Sequence, residues 1–228
     1  MGGSGIVTKI VYYTYTDNCF SFSPDLVLKN LTGYVKQTLL HCPAFVNNLK
    51  NTYAIRMPID YDLALSEGKV FSNLRDQAFF DQCVVVRDTE EGVCSLKIPR
   101  VLFFSADSME LEVKAASYHP NEFTENSIII EGRYDIGKHF RSLETAFMFK
   151  PTKKVTMSAG DVLYYIKLHT TEKVKLVPFH YTADIKSLTE SKMLLRQLPK
   201  PKPMSYWYDV HEKFYKKRLL KLIKESLL

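Results

Sequence analysis

The sequence predicts a mainly β chain of the α+β class: a β-sandwich or barrel with one helix near its start and helices at its end. Three observations predict this. Short runs rich in Val, Ile, Tyr and Phe recur along residues 51–182, separated by Gly, Asp, Asn and Pro, which is strand-and-turn chemistry. Strands do not alternate with helical patterns, as they would in a parallel α/β fold. A chain of 228 residues with 46% hydrophobic content is large enough to bury a full core without disulfide or metal staples.

Taken in order, VTKIVYYTYT (7–16) is β-branched and aromatic and reads as the first strand. A helix is expected near 24–41. Leu26, Leu28, Leu31, Val35, Leu39 and Leu40 recur at roughly helical spacing, weakened by Gly33. His41-Cys42-Pro43 ends it, because the residue before a proline leaves the α region, and 44–50 adds a short turn. From Asn51 the pattern turns to β, with NTYAIRMPIDYDLAL, VFSNL, AFFDQCVVVRD, CSLKIPRVLFFSA, MELEVKAASY, SIIIEGRYDI, AFMFKP, KKVTM, DVLYYIKLHT and EKVKLVPFHYT. Residues 183–197 read as a helix, Leu198 to Pro203 as a stiff proline strut, and 205–228 as a terminal helix. The expected organisation is a β-sandwich domain over 1–199, followed by a proline linker and basic helix over 200–228.

Charge is concentrated at one end. The formal net charge is +6, and residues 200–228 hold eight Lys or Arg against three acids, a local +5. An anionic partner, nucleic acid included, is therefore expected to meet these residues and not the body. At 100° per residue Tyr208, Tyr215, Leu219, Leu222 and Ile223 fall on one side, and Lys213, Lys217, Lys221 and Lys224 on the other together with Val210 and Phe214, so the apolar stripe is not clean. The partner-binding candidates are Trp207, Tyr208, Phe214 and Tyr215 as anchors, rimmed by Lys213, Lys217, Lys221 and Lys224.

The search for catalytic patterns finds no G-x-S-x-G, Walker loop, G-x-G-x-x-G or H-E-x-x-H. The cysteines at 19, 42, 83 and 94 form no C-x-x-C pair and read as reduced structural thiols. Glu131, Asp135 and His139 would share one face of a continuous strand, but Gly132 and Gly137 break it. With His169 and His180 they complete the set from which a divalent metal site could be drawn. No cofactor is expected. No run approaches the ~20 apolar residues of a membrane span, so a soluble protein is expected.

The stretch MSAGDVLYYIKLHTTEKVKLVPFHY (157–181), with its Gly160-Asp161 turn between hydrophobic runs, resembles the late strands of a cupin-like or jelly-roll domain. Together with His41-Cys42-Pro43-Ala44-Phe45 and NTYAIRMPIDYDL it also resembles uncharacterised tailed-bacteriophage proteins, small β-rich chains with a lysine-rich end. Metal cupins carry a His-x-His pair with a downstream Glu. That pair is absent here, and only His169 lies near the family's last ligand position. The resemblance implies a jelly-roll sandwich in the host cytoplasm, or associated with the virion, with its metal site lost. The leading expectation is a non-enzymatic phage-type structural or protein-interaction module that contacts a partner protein, or itself, through the C-terminal basic helix. A divergent cupin-like metal-dependent enzyme is the alternative, and nucleic-acid binding through residues 200–228 is the third reading.

Overall fold

The structure, a computed structural model, describes residues 8–17, 22–31, 37–67, 69–73, 76–88, 90–150, 154–195 and 203–228. It is mainly β, and its sheets curl into a half-barrel.

Among the described residues the strands form three sheets. In the first, β14 (Lys173–Pro178), β1 (Thr8–Tyr15), β7 (Val93–Phe104), β11 (Ser142–Phe149) and β9 (Ser127–Ile129) lie side by side in that order. β6 (Val84–Asp88) pairs with the first half of β7. The second runs β10 (Gly132–Asp135), β8 (Glu110–Ala115), β13 (Val162–Leu168), β3 (Thr52–Arg56), β2 (Asp25–Leu26). The third, β12 (Lys154–Met157), β4 (Tyr61–Ser66), β5 (Lys69–Ser72), adds a further wall. The pair β1–β14 is parallel, with Thr8 opposite Lys173 and Tyr13 opposite Pro178. Successive strands from β7 to β11 cross between the first and second sheets at every connection.

Side-chain alternation builds the core. Val11 and Tyr13 of β1 point inward and Tyr12 outward; Tyr53 and Ile55 of β3 point inward and Ala54 outward. In β7 the inward set is Cys94, Leu96 and Ile98, then Val101 and Phe103. The change of parity coincides with a shift in its register to β11 between Leu143 and Thr145. In β13 a similar shift between Val162 and Tyr164 lets Leu163 and Tyr164 both enter the core, as a bulge does. Each fully buried Phe, Leu or Ile contributes roughly 1.5–3 kcal/mol relative to exposure. Burial also pushes the Cys94 thiol up to about 11, as expected of an unreactive core thiol.

Helices cover the outer faces. α1 (Val27–Asn30) and α3 (Pro43–Leu49) lie over the second sheet, where Val27 and Leu49 pack with Ala54, Ala116 and Tyr165. α6 (Ala183–Leu195) and α7 (Met204–Glu225) lie over part of the first. No described helix is long and apolar enough to cross a membrane.

Four segments differ from the sequence expectation. The helix expected near 24–41 is, among the described residues, strand β2 followed by the one-turn helices α1 and α2 (Gln37–Leu40). Leu26 pairs with Tyr53, and the Asp25 carboxylate meets the Arg56 guanidinium at 3.2 Å, so tertiary pairing overrides the leucine spacing. The β reading of AFFDQC gives way to α4 (Gln77–Cys83), because Asp76 caps it by accepting from the N–H groups of Ala78 and Phe79. The turn at 44–50 is the helix α3, with Pro43 in its first turn. SIIIEGRYDI is not one strand but two, β9 and β10, in different sheets. Ahead of it α5 (Glu122–Asn126) is held by a capping box between Asn121 and Thr124.

Candidate functional site

Helix α7 has two unlike sides. Leu219 and Ile223 are 0% exposed, packed with Tyr12, Leu102 and Phe104 of the first sheet and with Ile185 and Leu188 of α6. Tyr215, Leu220 and Leu222 flank them, half-buried. The end of the helix is tied down by backbone: His180 donates its N–H to Ser226 O at 2.8 Å, Leu228 donates to Pro178 O at 3.2 Å, and Phe179 bridges to Leu227. Midway, the Glu212 carboxylate reaches Lys216 at 3.3 Å and Lys138 at 3.8 Å, which pins the helix to the turn after β10.

The opposite side meets solvent. Lys213, Phe214, Lys217, Arg218, Lys221 and Lys224 are exposed there, Phe214 by 66%. The Lys213 ammonium lies 5.7 Å from the centre of the Phe214 ring, within cation–π range. Lys221 reaches Glu225 at 3.8 Å along the same helix. The spacing 213, 217, 221, 224 repeats nearly once per turn, so successive cations stand about 5–6 Å apart in a row. Of the eight anchor and rim residues expected from the sequence, Phe214 and the four lysines share this side, whereas Tyr215 packs toward the sheet. Trp207 and Tyr208 lie outside the residues whose side chains are described. Arg218 joins the exposed row. Its position three residues before Lys221 was the available signal for it.

The five candidate metal ligands are occupied separately. A Glu131 oxygen accepts the Ala115 N–H at 2.9 Å. β10 ends at Asp135, so the continuous strand that would align Glu131, Asp135 and His139 does not form. Asp135 accepts from the Ser108 hydroxyl at 2.5 Å and from the N–H groups of Met109 at 3.1 Å and Gly137 at 2.7 Å. Burial alone would raise its carboxyl. These donors and the nearby Lys216 ammonium outweigh burial and hold it below the usual carboxylate range. The His139 ring stacks on Tyr134, with centroids 5.6 Å apart. His169 Nε2 lies 2.9 Å from Glu112 Oε2 across neighbouring strands, and His180 is exposed beside the end of α7. Among the described residues no group of three His, Cys, Asp or Glu side chains converges as metal ligands would.

Among the residues whose side chains are described, one imidazole is buried: His119 Nδ1 lies 2.6 Å from the hydroxyl of Tyr165, which packs with Val27 and Leu49. Burial, then the charge of Arg56, lowers its pKa below the ordinary histidine value, with Asp25 opposing. It makes a packed polar contact with Tyr165.

Comparison with protein-family models, with curated proteins and with solved structures finds no match.

Proposed function

We propose that the chain is a non-enzymatic protein-interaction module that engages its partner through the solvent side of α7. The observation that carries this reading is one helix with Leu219 and Ile223 fully buried on one side and, on the other, a largely exposed Phe214 among lysines. Docking on the sheet fixes the helix before any partner arrives, so binding does not have to meet the cost of ordering it. An exposed aromatic inside a charged rim is the usual form of a binding hot spot, and the rim selects partners by charge. The matching surface is acidic with an apolar recess for the Phe214 ring. Two copies meeting through this face would set lysine against lysine, so a different, acidic protein is favoured over self-association. The crossing of successive strands between sheets supports the finer jelly-roll reading of the sandwich. The phage-type structural role rests on the sequence resemblance.

The row of cations at one-turn spacing also suits a phosphate backbone, and one experiment separates the two readings. A labelled acidic amphipathic peptide of Glu and Leu is titrated with the intact chain, followed by fluorescence anisotropy, beside single-stranded and duplex DNA. The expected result is saturable peptide binding that Phe214→Ala and Lys217→Glu/Lys221→Glu each weaken by about tenfold, roughly 1.4 kcal/mol. Peptide binding unchanged in both variants would overturn the proposal. Tighter binding to DNA with a steep salt dependence would replace it with the nucleic-acid reading.

A further inference from the structure

Among the described residues, no strand pairs with the outer side of β9, the last strand of the first sheet. Ile130 donates its N–H to Ala146 O at 2.9 Å and Lys150 donates to Asn126 O at 2.9 Å. Bonded and non-bonded pairs alternate along an antiparallel ladder, so the N–H and C=O groups of Ser127 and Ile129 point away from β11. Ser127, Ile129 and Glu131 line a groove of about 760 Å³ whose other wall is Ala115 to Ser117, at the end of β8. That wall lies beyond the last pair of β8 with β10. β10 separates from β8 after Gly132 pairs with Val113, and the next N–H facing this way, that of Ala115, is met by the Glu131 carboxylate in place of a strand.

We propose that this groove accepts an extended peptide from a partner protein as an added strand on β9, with basic residues directed at Glu125 and Glu131. Three features carry the assignment. The outward backbone groups of β9 offer the ladder that strand addition uses. On the outer face Ile128 and Ile130 are 49% and 43% exposed. Exposed isoleucines on an unprotected edge are a liability that folded proteins normally cover, and alternate apolar side chains of an added strand would lie over them. Charge is the third: Glu125 and Glu131 stand against Lys150 in the groove lining, a net of −1, and the Lys150 ammonium is turned to the carbonyls of Thr124 and Glu125 at 3.4 and 2.6 Å. Residues of α5 and of the β8 end line the groove beside this edge. The stretch from Ser127 to Ile130 offers roughly 13 Å of edge, enough for about four paired residues.

The test uses the full chain and a labelled hexapeptide of alternating valine and lysine, followed by fluorescence anisotropy. Saturable binding is expected. Methylating alternate peptide amides on the pairing edge, which removes donors and leaves the side chains, should weaken it at least about tenfold. Replacing the lysines with glutamates should weaken it by a similar factor. Ile128→Lys and Glu131→Gln should each reduce affinity, with circular dichroism confirming the fold; Glu131→Gln keeps the reading testable if Ile128→Lys perturbs folding. Equal affinity for the methylated peptide would overturn the proposal by reducing binding to side-chain adhesion. Equal affinity for the glutamate peptide, or no saturation by about 1 mM, would overturn it as well. A doubled mass in light scattering that reverts in Ile128→Lys would assign the edge to a second copy instead.

Discussion

Asp135 closes the turn that leads from β10 toward β11, and its two oxygens take the Ser108 hydroxyl and the N–H groups of Met109 and Gly137. Gly137 is needed beside it, because a Cβ there would lie 2.5 Å from Asp107 O. The carboxyl titrates below its unfolded value, near 3.9, so folding gains from its ionised form. That gain is present above the unfolded pKa and is lost as pH falls through the lower folded pKa. Asp135→Asn is therefore expected to be less stable than wild type at pH 6, with the gap closing below about pH 4. Urea melts at both pH values check this, and a gap independent of pH would refute it. The sequence brought Asp135 forward as a candidate ligand beside Glu131 and His139. The shorter pattern Asp135-Ile136-Gly137, an Asx turn closed by glycine, was the more informative signal, because it says where the oxygens are spent.

At the scale of elements, α7 is where sequence and structure agree most closely. The helical wheel put Leu219 and Ile223 opposite the lysine row, and those two residues are fully buried while the row is exposed. Leu219→Ala should cost about 2–5 kcal/mol, whereas Lys217→Glu, with no buried contact, should fall within about 0.5 kcal/mol of wild type. Chemical denaturation of the two variants checks the contrast, and equal costs would mean the helix is not seated as described. Local signals were less decisive elsewhere. Asp76 before AFFDQC and Asn121 three residues before Thr124 are cap patterns that could have revealed α4 and α5. The β-branched and aromatic content around them masked the shorter signal. The leucines at 26, 28 and 31 suggested a helix because apolar spacing cannot show that Asp25 and Leu26 will be recruited by Arg56 and Tyr53.

At the scale of the molecule, the β class was readable from the recurrence of short apolar runs, but the allotment of those runs to sheets was not. SIIIEGRYDI shows why: its two halves join different sheets, and only their long-range partners, Phe147 for Ile129 and Leu111 for Tyr134, decide it. The same long-range logic makes the last segment structural. A chain shortened to end at Pro203 would uncover Tyr12, Leu102 and Phe104, which α7 now covers. It is expected to bind an apolar dye, to associate in light scattering and to melt at lower temperature; an unchanged monomeric melt would refute the seat of α7. The parallel pair β1–β14 carries a kinetic consequence. β1 sits between β7 and β14, and neither neighbour is close to it in sequence. The tyrosine-bearing ribbon therefore gains its flanks only through contacts about 90 and 165 residues apart in sequence, closures that are entropically slow, so refolding is paced by the capture of β1 from both sides.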